Sequence, residues 1–358
     1  MPSDPPFPEN AAADGETTVT ELRRDFLSGR WVLIAPDRSK RPSDYRSART
    51  ADPDASRETC PFCSGREKET PPEVAAVRDP ESAPDSAGWR VRVVPNKFPA
   101  LIRPAEPSFP PPEDEKEGLR PGFGVHEVVV DGPEHDREWP DLPENHLRDV
   151  LAVFRDRLRA IEKEPSVRYI QVFKNRGGDA GASLRHPHTQ ILAVPVVPGQ
   201  VRDEIAAQER YGKSTGACYS CRLLEDEESG PRLVHASREF VALAPFASRF
   251  SYEIHVRPRR HAALFSDVSD EELAPLARMM GDVLRRLQAI AGDPAYHLIL
   301  RQAPSPRPGD SSVLPDSPFV HWRFEILPVF GAVAGFEWGT GFFINPVVPE
   351  SAAAALRG

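Results

Sequence analysis

Long apolar runs are missing from this 358-residue chain. None approaches the roughly 18 to 20 consecutive apolar residues that a membrane-spanning helix needs, so membrane partners are not expected. An excess of positive charge is missing too. Lys plus Arg number 45 against 54 Asp plus Glu, a formal net charge of −9, which argues against general nucleic-acid binding and toward small-molecule chemistry. Met1 to Thr18 contain no apolar segment of the kind a secretory leader requires. The expected compartment is therefore the cytoplasm, with residues 1–17 a disordered tail. Cysteine is scarce, at four residues. In a reducing compartment a structural disulfide is disfavoured, and these thiols read as metal ligands or redox dithiols. Proline is not scarce: 40 Pro with 23 Gly stay below the roughly 25 to 30% combined share of low complexity, but they predict long ordered loops.

The four cysteines form two pairs of equal spacing, Cys60-Pro-Phe-Cys63 and Cys218-Tyr-Ser-Cys221. A zinc ribbon would hold two such pairs about 15 to 20 residues apart. These lie far further apart, so each pair must recruit its own histidines. The surrounding sequence repeats. His126-Glu-Val-Val-Val-Asp-Gly-Pro-Glu-His135 matches Tyr252-Glu-Ile-His-Val-Arg-Pro-Arg-Arg-His261, which aligns Glu127 with Glu253. A helical stripe follows each: Leu147, Val150, Leu151, Phe154, Leu158 and Ile161 in the first copy, and Leu273, Leu276, Met280, Val283, Leu287 and Ile290 in the second. Next come apolar strands opening with Tyr169 and Tyr296, a Gly/Pro/Ser-rich loop, and a strand expected to start at His186 in one copy and His321 in the other. Cys60, Cys63, His135 and His186 would then make one Cys2His2 tetrahedron, and Cys218, Cys221, His261 and His321 a second. Four protein ligands close a zinc site, so both are expected to be structural. The alternative is two buried thiol pairs with surface histidines. His126, His146, His235, His255 and His297 lack a matching partner and read as ordinary histidines.

The copies part at His188, whose counterpart is Arg323. One half therefore keeps an imidazole two residues from a candidate ligand, and the other has lost it. On a strand, His186, His188 and Gln190 share a face. The preceding Asn175-Arg-Gly-Gly-Asp-Ala-Gly-Ala-Ser183 is a loop whose backbone amides can approach phosphoryl oxygens.

These residues carry a resemblance. The His186-Pro-His188-Thr-Gln190 core, Trp31-Val-Leu-Ile-Ala-Pro-Asp-Arg-Ser-Lys-Arg-Pro42, Cys60-Pro-Phe-Cys63, Val94-Pro-Asn-Lys-Phe-Pro-Ala100 and Gly335-Phe-Glu-Trp-Gly-Thr-Gly-Phe-Phe-Ile-Asn-Pro346 resemble the galactose-1-phosphate uridylyltransferase branch of the histidine-triad superfamily. The resemblance implies an α+β fold of two fused histidine-triad-like units, each an antiparallel sheet with a packed helix: residues 18–200 catalytic, and 201–358 the second unit. It implies a homodimer and a covalent nucleotidyl-His188 that moves a nucleoside monophosphate from UDP-glucose to galactose 1-phosphate. Gln190 would donate to a phosphoryl oxygen. Arg38, Arg41, Asn96, Asn175 and Ser183 would contact nucleotide or phosphate, and Glu337 the sugar hydroxyls. Zinc would be scaffold at both Cys2His2 sets.

The chain departs from the best-known uridylyltransferases in several places. Val329 to Ala334 lacks the lysine that grips the sugar phosphate, and Glu325 and Leu327 stand where second-site histidines would fall. Position 189 is Thr where Gly is usual. The second CxxC and the Gly-Phe-Glu-x-Gly-Thr-Gly ending resemble the ADP-glucose:phosphate adenylyltransferase (ADP-glucose phosphorylase) relatives, which makes adenylyl transfer the alternative reaction. A reading of another class is a zinc-stapled nucleotide-binding module with an idle His188.

Overall fold

The computed structural model describes residues 20–40, 57–104, 121–305 and 317–358. The expected tail at 1–17, Arg41, most of the Pro104–Pro121 loop and most of the Ala303–Pro318 loop lie outside the described residues. The elements run β1 (Glu21–Arg24), β2 (Trp31–Ile34), β3 (Ala75–Arg78), β4 (Trp89–Pro95), β5 (Val125–Val130), α1 (Glu144–Ile161), β6 (Tyr169–Arg176) and β7 (His188–Val194). They continue through α2 (Gly199–Thr215), α3 (Tyr219–Glu227), β8 (Leu233–Ala236), β9 (Phe240–Leu243), β10 (Ile254–Pro258), α4 (Asp270–Ala291), β11 (Ala295–Arg301) and β12 (Arg323–Val329). The chain closes with α5 (Gly335–Thr340), β13 (Phe343–Asn345) and α6 (Pro349–Arg357).

Ten strands form one sheet in the order β3-β4-β5-β7-β6-β11-β12-β10-β9-β8. The order reads the same from both ends once the copies are superposed, and the halves join through the antiparallel β6–β11 pair, with Tyr296 opposite Arg176 and Ile299 opposite Phe173. Two repeats thus share one antiparallel sheet. A small second sheet, β1-β2-β13, pairs β13 with β2 in parallel and ties residues near the C-terminus to residues near the start.

The two apolar stripes of the sequence are the buried faces of α1 and α4. Leu147, Val150, Leu151, Phe154, Leu158 and Ile161 sit in one core with Leu273, Leu276, Met280, Val283 and Leu287, and Ile290 packs at its edge. Ser269 and Glu272 cap α4 reciprocally, satisfying free amides at its start. Ile191, Ala193, Val129, Ile170 and Val172 face the same core. By strand alternation, His188 and Gln190 project from the opposite face of the sheet.

Two sequence expectations shift. The strands begin at His188 and Arg323, so His186 and His321 lie just before them. The repeat alignment also moves by one residue inside the strand. Glu127 lies opposite Ile191, and Ile254 lies opposite Ile326, so Ile254 and not Glu253 is the counterpart of Glu127. The chain from Ile254 to His261 is one residue shorter than the chain from Glu127 to His135. A one-residue slip would send Ile254 and Val256 to the wrong face, and their place in the core fixes the register.

Candidate functional site

Each Cys/His set converges. Cys60 Sγ lies 3.7 Å from His186 Nδ1, and Cys63 Sγ lies 3.3 Å from His135 Nδ1 and 3.6 Å from His186 Nδ1. In the second half Cys218 Sγ is 3.9 Å from His321 Nδ1, and Cys221 Sγ is 3.5 Å from His261 Nδ1 and 3.6 Å from His321 Nδ1. A tetrahedron with zinc–sulfur bonds of about 2.3 Å and zinc–nitrogen bonds of about 2.0 Å has sulfur–nitrogen edges of about 3.5 Å. Both sets fit that ion. The far nitrogens fit as well: Nε2 of His186 donates to the Gly132 carbonyl at 2.8 Å, His321 to Pro258 at 2.9 Å and His261 to Ser317 at 3.2 Å. Such bonds turn each Nδ1 lone pair inward. Burial pushes His186 down to about 4, so its ring is neutral as a ligand must be. Burial and the neighbouring Cys60 push the Cys63 thiol up to about 11; a dication in the cluster would remove that proton.

His188 opens β7 beside this cluster and is 8% exposed. Its Nδ1 is 2.8 Å from the His186 carbonyl oxygen. A carbonyl only accepts, so Nδ1 carries the proton and Nε2 keeps its lone pair. Burial lowers the pKa of His188, and the charge of Lys174 acts in the same direction against the pull of the His186 carbonyl. The ring is neutral, with its Nε2 lone pair free of that contact. Phe62, from within the first CxxC, rests against it with ring centroids 5.4 Å apart.

Beneath His188, on the core side of the sheet, polar groups hold the strand. Asp131 is fully buried and accepts from Thr189 Oγ1 at 3.0 Å, Trp139 Nε1 at 2.9 Å and Lys174 Nζ at 3.1 Å. Its backbone amide donates to the Pro187 carbonyl at 3.1 Å. Lys174 also pairs with Glu138 at 3.2 Å. Although burial alone would lower Lys174, Glu138 and Asp131 hold it above its ordinary value, and it stays charged. The residues flanking His188 are thus both tied to Asp131, Pro187 through its backbone amide and Thr189 through its carboxylate.

The remaining candidates are placed unevenly. Gln190 Oε1 is 2.9 Å from Nε2 of His126, and Asn96 Nδ2 is 3.1 Å from the same nitrogen. His126, read from the sequence as ordinary, is therefore part of the cluster; only the β5–β7 register, absent from the sequence pattern, brings it there. Asn175 accepts from His297 Nδ1 at 2.9 Å, which gives a second of the set-aside histidines a site contact. Ser183 is exposed on the loop after β6, whose Gly177 and Gly181 hold positive φ of 85° and 75°. Arg38 is exposed on the short helix Pro36–Lys40. Glu337 is turned back on its own helix, where its carboxylate accepts the Ala334 N–H at 3.1 Å.

The second half is closed at the equivalent face. Arg323, in the place of His188, is 5% exposed and pairs with Glu204 of α2 at 2.9 Å and Glu325 at 2.7 Å. Arg249 bridges Glu253 and Glu325, each at 2.8 Å, and His255 meets Glu253 at 2.9 Å. Glu253, His255 and Glu325 have ligand-like spacing. Burial would raise both carboxylates, but the guanidiniums override it: Glu253 is held down to about 2 and Glu325 well below its usual range. Arginine already supplies the positive charge there, and α2 covers the face.

Known proteins resemble this chain over most of its length. The sequence profile described as galactose-1-phosphate uridyl transferase, N-terminal domain, matches residues 10–198, and a profile for a domain of unknown function matches residues 143–356. ADP-glucose phosphorylase of Arabidopsis thaliana is 34% identical over 98% of this chain and 96% of its own length. Galactose-1-phosphate uridylyltransferase of Thermotoga maritima is 32% identical over 95% of this chain and 98% of its own. The crystal structure of an Arabidopsis thaliana ADP-glucose phosphorylase with bound ADP-glucose covers 95% of this chain and 99% of that one, at a TM-score of 0.80 and 34% identity. A structure of a uridylyltransferase covers 95% and 98%, at a TM-score of 0.69 and 33% identity. From this family match and full-length similarity, the chain belongs to the galactose-1-phosphate uridyl transferase family of nucleotidyltransferases.

Proposed function

We propose that this protein moves a nucleoside monophosphate from a nucleotide diphosphohexose to a phosphate-bearing acceptor by way of a covalent nucleotidyl-His188. The observation that carries the reading is the 2.8 Å bond from His188 Nδ1 to the His186 carbonyl, which leaves Nε2 as a lone pair on a buried, neutral ring. Nε2 attacks the α-phosphorus, a P–N bond forms, and the P–O bond to hexose 1-phosphate breaks. The leaving group is a phosphate monoester, stable as an anion, so it departs without a strong general acid. The imidazole becomes cationic as the bond forms, and the His186 carbonyl stabilises that charge through Nδ1–H. An oxygen of the acceptor phosphate then attacks the same phosphorus and releases the ring.

Zinc in the first Cys2His2 set would hold His186, and through its carbonyl the tautomer of His188. The role is scaffold in both sets. Homodimeric assembly is part of the proposal, and sedimentation equilibrium tests it. Two donor–acceptor pairs fit the mechanism. UDP-glucose with galactose 1-phosphate is supported by the uridylyltransferase relatives. ADP-glucose with free phosphate is supported by the similarity to ADP-glucose phosphorylase and by the absence of lysine from Val329 to Ala334. Incubation with radiolabelled UDP-glucose or ADP-glucose, without acceptor, should leave acid-labile label that His188→Gln abolishes. Label from one donor alone identifies the base. No label from either refutes the proposal in favour of a binding module.

A further inference from the structure

Gln190 can help a phosphoryl group only if its NH2, and not its carbonyl oxygen, faces the ligand. A free amide has no reason to choose. The structure supplies one in His126, on β5 across from β7.

The protonation of His126 follows from a fixed donor. The Ala100 backbone N–H points at Nδ1 from 3.1 Å. A backbone N–H cannot accept, so Nδ1 is the lone pair and the neutral ring carries its proton on Nε2. Nε2 lies 2.9 Å from Gln190 Oε1, and the proton goes there. Asn96 approaches the same nitrogen with Nδ2 at 3.1 Å, and its own oxygen is occupied by the Phe98 N–H at 2.8 Å. That contact sets donor against donor, so His126 gives the Asn96 NH2 no acceptor. Both amides thus have their oxygens engaged and their NH2 groups left for an anion.

We infer that His126 is a positioning residue: its Nε2–H holds Gln190 by the carbonyl oxygen, so that the Gln190 NH2 is presented, on the same sheet face as His188, to the phosphoryl oxygens of the nucleotide. The inference rests on the proposed function. It adds that donor geometry at phosphorus is set one strand away, by a residue that need not touch substrate.

Two measurements on the full-length, zinc-loaded protein test it. Long-range proton–nitrogen NMR, with His126 assigned by its loss in His126→Gln, should show the Nε2–H form; the Nδ1–H form overturns the inference whatever the activity. In pre-steady-state labelling with the donor that the wild type accepts, His126→Leu should form nucleotidyl-His188 about ten- to a hundredfold more slowly with KM little changed, since a donor aimed at transition-state charge acts mainly on kcat. His126→Gln, whose side-chain NH2 can replace Nε2–H, should recover much of the rate. In a Gln190→Ala background His126→Leu should cost nothing further. Equal rates for His126→Leu and wild type refute the inference alone. No label on the wild type with either donor refutes the function and the inference together.

Discussion

The buried pair under His188 permits a quantitative test. Lys174 is 1% exposed and Asp131 is fully buried. Lys174→Met keeps most of the aliphatic stem and volume but removes the cation from between Asp131 and Glu138. Breaking a buried ion pair by deleting one partner costs about 3 to 5 kcal/mol, chiefly because the other charge is left uncompensated. Here Asp131 keeps its bonds from Trp139 and Thr189, and Glu138 keeps Arg176 at 3.7 Å, which place the expected loss near the lower end, about 3 kcal/mol. Urea unfolding at saturating zinc reads the loss as a lower midpoint with unchanged slope. Adding Asp131→Asn should recover part of it, because the stranded charge is then removed. Nucleotidylation should slow as well, since Asp131 fixes both Pro187 and Thr189 around His188. A cost for Lys174→Met below about 1 kcal/mol, with no recovery in the double variant, would refute the claim that this network depends on its charge balance.

Further predictions concern metal and pH. Atomic absorption should find near two zinc per chain, and Cys63→Ala or Cys221→Ala should each remove one; a wild-type value near one would leave the Cys218 pair as plain thiols. Chelation should lower the thermal midpoint, because metal affinity in a closed site adds directly to folding stability. Glu162 caps the C-terminal end of α1, where burial pushes its carboxyl up to about 7 against the Ser266 hydroxyl. Because the folded value lies above the unfolded one, stability present below about pH 4.3 is lost as pH rises through 7. Glu162→Gln should therefore flatten that decline and raise the unfolding free energy from urea titration at pH 8 by on the order of 1 to 2 kcal/mol after solvent screening. An unchanged pH slope in the variant would contradict this assignment.

Legibility from sequence followed the range of each interaction. The α1 and α4 stripes could be read because a buried helical face repeats every three to four residues along the chain itself. Both Cys2His2 sets could be read because the duplication spaced their ligands twice in the same order. Register was different. The alignment of Glu127 with Glu253 honoured identical letters, but the core selected Ile254, and a chain to His261 shorter by one residue absorbed the difference. His126 was passed over for the same reason: its partners Gln190 and Asn96 lie on β7 and after β4, and sequence alone carries no trace of which strand edges meet. The joining of the repeats through β6 and β11 was equally hidden, since nothing in Tyr169–Arg176 distinguishes an edge that pairs within its unit from one that pairs across. Arg323 in place of His188 was visible as a loss of imidazole, but not that Glu204 of α2 would fold over it.

The central claim is that the His188 ring takes the nucleotide. Brief mixing with ADP-glucose or UDP-glucose, followed by a quench that preserves P–N bonds and peptide-mapping mass spectrometry, measures this directly. One nucleoside monophosphate on the peptide containing His188, discharged by adding phosphate or a sugar 1-phosphate, is the predicted result. An unmodified His188 peptide while sugar nucleotide is consumed would contradict it.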